Sequence, residues 1–199
     1  MPDKTTAIML VGDSKRIKNK PYRIIQNQML ISHGYNTIKQ LFKELIIVCT
    51  RNQKNKLIKH NITCITEDYR VGPLGGIKKG AQSTNSKYLF VFACDMPYLN
   101  PQVIKYMLGK KKDTDCVIPE DNMGRLQPLH AIYRRSRVLE LLRNGYPKNN
   151  KTNYLAKTMT KVAIIKTCEI KKIDKDLKCF TNINTEKDLQ AKTAFNQTQ

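Results

Sequence analysis

Apolar runs and helix-period stretches alternate along this chain from its first residues. The run 7–11 (AIMLV) has strand length, and 29–42 places Ile31, Tyr35, Ile38, Leu41 and Phe42 three to four residues apart, on one face of a helix. Gly34 interrupts that helix pattern without breaking its period. The pattern continues with a strand over 45–49, a short helix over 52–59, a strand over 62–65, a helix over 74–83 and a strand over 88–94. Asn100 followed by Pro101 predicts a helix start, because Asn can accept the free first-turn amides while Pro has none to leave unpaired. That helix is expected to run to about residue 111. Beyond it, strands are predicted over 115–118 and 129–133, a helix over 136–144, a polar loop over 146–153, and strands over 162–165 and 170–173. Thr185 with Asp188 three residues later opens a last short helix as a capping box. Strand, helix and strand in repeated order predict an α/β fold, a mostly parallel sheet flanked by helices.

Length and charge narrow the picture. A chain of 199 residues suffices for one α/β domain with a full core, read here as residues 1–192 with a flexible tail at 193–199. The formal net charge of +20, from 36 Lys and Arg against 16 Asp and Glu, suits a nucleic acid, an acidic partner or a polyphosphate. Charge alone does not choose among them, but the lysines are spread along the sequence with only short clusters such as 110–112, which disfavours nucleic-acid binding as the main function. The six cysteines form no CxxC pair and are joined by only three histidines, which argues against zinc. No segment approaches the roughly 18 apolar residues of a membrane span, and the start MPDKTTAIMLVG lacks the pattern of a secretory signal. A cytoplasmic protein with reduced, core-packing thiols is expected.

Four segments carry candidate chemistry. In 88–99 the apolar run YLFVFAC stops at Asp95, and a carboxylate at the end of a buried strand sits where open α/β sheets bind ligands. Asp95 is therefore either a metal ligand or the cap of a turn. The loop after the first strand, GDSKRIKNKP at 12–21, can gather backbone N–H groups, a hydroxyl and cations around a phosphate chain, or be a solvated basic turn. It matches neither GxxxxGK[ST] nor GxGxxG. The segment 67–76, EDYRVGPLGG, has glycines that permit close approach of a ligand to backbone. LQPLHAIY at 126–133 and TNINTEKDL at 181–189 read locally as a strand entered through proline and a helix cap.

Taken in order, these segments resemble the molybdenum cofactor guanylyltransferases of the MobA type. LVGDSKRIKNK at 10–20 is similar to that family's LAGGxSxRMGxDK, GPLGG at 72–76 to its GPLAG, CDMP at 94–97 to its CDxP, QPL at 127–129 to its QPL, and NINTEKDL at 182–189 to its NxNTxxDL. The resemblance spans almost the whole chain. It implies a three-layer, Rossmann-like nucleotidyltransferase fold, with GTP and molybdopterin as substrates and Mg2+ as cofactor. A molybdopterin-delivering or acceptor molybdoenzyme protein is the partner it implies. Carried over by position, it implies that Leu10, Val11, Gly12 and Asp68 contact the guanine nucleotide, that Lys20 meets its phosphates with Arg16 assisting, and that Asp95 holds the metal. Asn182 and Asn184 would face the pterin, with Gln127 close by.

The first loop departs from the family. One residue lies between Gly12 and Ser14 where the family has two, and three lie between Arg16 and Lys20 where it has four. Each missing residue shortens reach by about 3.5 Å. If Asp13 occupies the place of the second glycine, its carboxylate would face the triphosphate, a repulsion of about 4 kcal/mol at roughly 4 Å and an effective dielectric of about 20. Cys49 stands where relatives can offer an asparagine to the nucleotide. The implied reaction needs no protein base: a phosphate monoester with a second pKa of about 6 is already largely dianionic, so positioning and charge neutralisation suffice. Open beside it stand a transferase using CTP or another phosphorylated acceptor, and a nucleotide-binding accessory protein with an impaired loop.

Overall fold

The computed structural model describes residues 4–67, 72–147 and 151–193. Its first half runs β1 (Thr5–Val11), a hairpin of β2 (Ile24–Ile25) and β3 (Gln28–Met29), α1 (Leu30–Leu41), β4 (Leu45–Cys49), α2 (Arg51–Lys59), β5 (Ile65–Thr66), α3 (Pro73–Gln82) and β6 (Tyr88–Ala93). There follow α4 (Pro101–Gly109), β7 (Cys116–Pro119), β8 (His130–Arg134), α5 (Arg135–Leu141), α6 (Asn153–Thr158), β9 (Val162–Ile165), α7 (Thr167–Lys171) and α8 (Glu186–Thr193). Seven strands form the main sheet in the order β5-β4-β1-β6-β8-β7-β9. All neighbours are parallel except those of β8, which runs antiparallel to β6 and β7.

Alternation along the buried strands builds the layers, since successive side chains of a strand point to opposite faces. Ala7, Met9 and Val11 of β1, with Phe90 and Phe92 of β6, join α1 and α4 on one face through Ile31, Ile38, Val103 and Met107. Ile8, Leu10, Leu89 and Val91 face the other way and meet α3, α5 and α6 through Leu74, Ile77, Val138 and Leu155. Two glycines set how closely helices lie on the sheet. A Cβ on Gly34 would come within 3.2 Å of the Phe92 ring, and one on Gly80 within 2.7 Å of Ile8. The expected mid-helix Gly34 is thus a packing contact between α1 and β6.

Several boundaries differ from the sequence pattern, and one element is of another kind. The segment 170–173, predicted as a strand, belongs to helix α7 and the turn after it. Glu169 Oε1 accepts the Lys166 N–H at 3.0 Å, and the Thr167 hydroxyl donates to the Asp121 carbonyl at 2.6 Å, so side-chain bonding opens a helical turn where apolar content suggested β. Asn153, placed in a polar loop, opens α6, and the helix predicted over 136–144 ends at Leu141. The strand expected over 62–65 forms only at Ile65–Thr66. Asn100 caps α4 as expected, accepting from the N–H groups of Gln102 and Val103. The capping box of α8 also forms: Thr185 Oγ1 accepts the Asp188 N–H, and Asp188 Oδ2 accepts the Thr185 N–H. Thr193 closes that helix, while the rest of the expected tail, and Asp68, lie outside the described residues. No described helix is long and apolar enough to cross a membrane.

Candidate active site

The chain leaves β1 for β4 on one side and returns through α3 to β6 on the other, so the crevice beyond the carboxyl ends of β1 and β6 is a topological switch point. A cleft of about 710 Å³ opens there. Leu10, Val11 and Gly12 form its floor from β1, Thr50 enters after β4, and Cys94 and Asp95 enter after β6. No atom lies within 4 Å of where a Cβ on Gly12 would stand, so the space above that residue is open.

The first loop is held in place by its one apolar residue. Ile17 is fully buried in a small cluster with Ile25, Leu30, Ile183 and Leu189, which ties the loop to β2, α1 and the last segment of the chain. The Ser14 hydroxyl accepts the Ile17 N–H at 3.2 Å. Asn19, in the left-handed region at φ 56°, then turns the chain into a single 3-10 turn that begins at Lys20. That turn brings the Lys20 ammonium into the cleft. Lys20 Nζ donates to Asp95 Oδ2 at 2.5 Å and to Asn184 Oδ1 at 3.3 Å. The shortened loop therefore still delivers its lysine to the carboxylate after β6.

Asp95 is tied in twice and left open once. Its carbonyl accepts the Ile183 N–H at 3.0 Å, which seats the last segment against it, and its Oδ2 holds Lys20. Its Oδ1 is buried and has no hydrogen-bond partner among the described residues. A buried anionic oxygen without a donor is costly unless something cationic meets it. That orphan oxygen fits a hard divalent cation, of the kind held by one or two carboxylates with the remaining positions left to water and phosphate. No cluster of three or more His, Cys, Asp or Glu side chains exists among the described residues, so a cation here would rely on substrate oxygens.

The other cations and the acidic residue of the loop take different directions. Arg16 lines the cleft, exposed and without an ion pair among the described residues. Asp13 turns its carboxylate toward α2, accepting from Gln53 Nε2 at 2.8 Å, Thr50 Oγ1 at 3.2 Å and Asn52 Nδ2 at 3.3 Å. Cys49 is buried beside Cys64, 3.3 Å sulfur to sulfur, and burial pushes its thiol up to about 12, so it offers the cleft a neutral thiol. In the glycine segment, Gly72 has φ +72° and needs to be glycine, whereas Gly76 answers to packing: a Cβ there would meet Leu10 at 2.9 Å.

The three residues read as acceptor-facing separate into two places. Gln127 and Asn182 line a second cavity of about 520 Å³, with Asp121, Arg125, Lys157 and Phe180. Asn184 instead sits in the first cleft on Lys20. Thr50 and Glu67 also line the first cleft and were missed by the sequence reading. Thr50 had a signal, since it follows β4 as Gly12 follows β1. Glu67 had none.

Comparison with known proteins decides the family. The model of the MobA-like NTP transferase domain matches residues 7–161. The chain belongs to that family. It is a nucleotidyltransferase by that membership, and the fold expected from sequence, a mostly parallel α/β sheet of this class, is the one found. It is 32% identical to the molybdenum cofactor guanylyltransferase of Desulfosudis oleivorans over 94% of each chain. It is 34% identical to the probable molybdenum cofactor guanylyltransferase of Methanosarcina mazei, over 93% of this chain and 88% of that one. In fold it is similar to molybdopterin-guanine dinucleotide biosynthesis protein A of Archaeoglobus fulgidus, with a TM-score of 0.77 at 23% identity over 96% and 97% of the two chains. A CMP:2-keto-3-deoxy-manno-octonic acid synthetase complexed with CTP shares the fold more remotely, with a TM-score of 0.71 at 10% identity over 96% of this chain and 98% of that one.

Proposed function

We propose that this chain transfers GMP from GTP to the terminal phosphate of molybdopterin, forming the guanine dinucleotide of the cofactor and releasing pyrophosphate. The observation that carries the reading is the junction of Lys20, Asp95 and Asn184 at the switch point, inside a cleft of about 710 Å³. The names carried by the curated relatives point to the same reaction.

In this reading the nucleotide lies over Leu10, Val11 and Gly12, with Asp68 as a further contact, and its triphosphate runs along the first loop. The acceptor phosphate needs no general base, since it is largely dianionic at neutral pH. It attacks the α-phosphorus in line, and the bond to the β-phosphate oxygen breaks. Lys20 moves from Asp95 to the phosphates as negative charge passes to the leaving pyrophosphate, and Arg16, free at the cleft wall, neutralises the same charge from the solvent side. Asp95, with its open Oδ1, is the residue that would hold Mg2+. Bound there, the cation supplies Lewis-acid charge neutralisation to the phosphate oxygens. The reaction suits a reducing, cytoplasmic setting, in keeping with six thiols that form no disulfide.

The deciding test is equilibrium binding of GTP, CTP, ATP and UTP with and without Mg2+, followed by pyrophosphate release with molybdopterin. Magnesium-strengthened selectivity for GTP and release only with the acceptor present are expected. Preference for CTP would move the chain to the cytidylyl class. Selective GTP binding without turnover would mark an accessory protein.

A further inference from the structure

Two sulfurs meet at the wall of the first cleft. Cys49 is the last residue of β4 and lines the cleft, and Cys64 stands in the irregular connection 62–64 that leads into β5. The Cys49 thiol donates to Cys64 Sγ at 3.3 Å, and both are free thiols. Among the described residues no other two cysteines are joined in this way. The two are not equivalent. Cys64 is partly exposed, whereas Cys49 is buried, and burial together with its hydrogen bond to Cys64 pushes the Cys49 thiol up to about 12. Thiolates, not thiols, are the nucleophiles. Cys64 is therefore the sulfur an oxidant meets first, and Cys49 is held beside it with its proton.

The strand register says what a bond between them would move. Cys49 pairs with Thr66 across the parallel ladder, so Cys64, two residues before Thr66, is diagonal to Cys49 and on the same face. A disulfide holds its sulfurs at about 2.05 Å, so closing the gap draws Cys64 and the end of β4 together. β5 is a two-residue strand at the edge of the sheet, and beyond it the Glu67 N–H donates to the Cys49 carbonyl at 3.0 Å. Pulling Cys49 back toward Cys64 takes it away from Glu67, which follows the far end of β5. Thr50, next to Cys49, and Glu67 both line the first cleft, so the residues displaced are its wall.

We propose that Cys49 and Cys64 form a reversible disulfide under hydrogen peroxide, and that closing it lowers the affinity of the first cleft for nucleotide. The Cys64 sulfur attacks one peroxide oxygen as the O–O bond breaks, giving a sulfenic acid and water. The Cys49 sulfur then attacks Cys64, the S–O bond breaks, and the departing hydroxide takes the Cys49 proton as water. Two thiols lose two electrons and one peroxide is reduced to two waters. A thiol reductant reverses the bond by exchange. Disulfides of reducing compartments are usually transient and redox-sensing, which is the role assigned here. That the nucleotide is GTP rests on the function proposed above; the disulfide does not. By linkage, bound nucleotide opposes the bond as strongly as the bond opposes the nucleotide.

The test treats the reduced full chain with a slight excess of hydrogen peroxide, with and without nucleotide and Mg2+, then alkylates the remaining thiols and maps peptides by mass spectrometry. Binding of GTP, CTP, ATP and UTP is measured before oxidation, after it, and after dithiothreitol. Crosslinked peptides carrying Cys49 and Cys64 are expected, with nucleotide affinity lower by about fivefold or more and restored by dithiothreitol. Bound nucleotide should slow the crosslink. Cys64→Ser should bind nucleotide as the wild type does and keep that affinity under peroxide, and Cys64→Ala serves if the serine variant does not fold. Cys168→Ser, which removes the exposed thiol, should crosslink and lose affinity like the wild type. Cys49 and Cys64 both still alkylated once Cys168 is oxidised, a crosslink that leaves affinity unchanged, or an equal loss of affinity in Cys64→Ser would overturn the inference. A crosslink that weakens binding of CTP, preferred over GTP, would overturn guanylyl transfer and uphold the inference.

Discussion

The two cavities are built by opposite means. In the first, the reacting groups come from loops that follow parallel strands, so Gly12, Thr50 and Asp95 sit at carboxyl ends of β1, β4 and β6 and converge by topology. In the second, β8 runs the other way, and Gln127 arrives on the approach to its strand, held by a turn that folds back on Asp121. The first site is charged and leaves cations and a carboxylate oxygen unspent. The second ties the amide N–H groups of Gln127 and Asn182 into its own turns, and Arg125 and Lys157 stand on its wall as well. Convergence at strand ends follows from the topology of the sheet alone, whereas a residue placed by a turn depends on the side chain that closes the turn, here Asp121.

The largest effect should come from Asp95→Asn, which removes the charge beside the orphan oxygen. Turnover is expected to fall on the order of 10²–10³-fold or more, as when a group stabilising developing charge is lost, while the circular dichroism spectrum stays that of the wild type. Wild-type pyrophosphate release from this variant in excess Mg2+ would remove Asp95 from the mechanism and break the contrast between the cavities. Lys20→Met should cost comparable turnover and also stability, because it leaves the Asp95 carboxylate, 19% exposed, without its cation. Loss of about 2 kcal/mol in urea unfolding is expected, below the full buried-pair figure because both groups retain some solvent contact. The double variant should recover that stability and no activity, which separates folding from chemistry.

Much of the first site was legible in sequence for a physical reason. An apolar run that ends in a carboxylate, or in a glycine and basic residues, announces a strand end at a ligand crevice without any tertiary knowledge; Asp95 and the loop 12–21 were read that way, whereas Gly12 and Lys20 were singled out within that loop by the family resemblance. What could not be read was direction. Asp13 turns to α2 because Thr50, Asn52 and Gln53 wait there, and Asn184 turns to Lys20 while Asn182, two residues earlier, enters the other cavity. The antiparallel course of β8 was also hidden, since a buried strand looks the same in either sense. At 170–173 apolar content suggested a strand, but Glu169 and Thr167 supply side-chain bonds that make the turn helical.

Acid should strike the second region first. His130 on β8 is fully buried between the rings of Phe90 and Phe180, and neither ring nitrogen makes a well-formed hydrogen bond among the described residues. Burial pulls its pKa down to about 4, against smaller opposing pulls from the Cys179 backbone and Asp174. Between its ordinary value of about 6.5 and that lowered one, the unfolded chain binds the proton and the folded chain does not. The stability held by the neutral ring is thus intact above about pH 6.5 and lost progressively as pH falls toward 4, by about 3 kcal/mol in all. Urea midpoints of wild type and His130→Phe across pH 7 to 4 check this, the variant showing the shallower loss. An equal slope in both would assign the acid lability elsewhere.

Asp13 offers the smallest expected change and the sharpest reading of the shortened loop. If its carboxylate faced the triphosphate, removing it would relieve repulsion of several kcal/mol and tighten GTP binding by orders of magnitude. In the structure that carboxylate is occupied by three donors, Thr50 just before α2 and Asn52 and Gln53 on it, so Asp13→Asn should change GTP affinity by less than about threefold, the residual effect of an exposed and screened charge. The same substitution should loosen the start of α2 by about 0.5–1 kcal/mol, since an amide can accept from only part of that set. A large gain in GTP affinity would mean that the loop swings over the phosphates when nucleotide arrives, and that the charge placed there restrains this chain. A null result locates the family's missing glycine outside the triphosphate path, and it leaves Lys20 and Arg16 as the charges that decide how tightly the nucleotide is held.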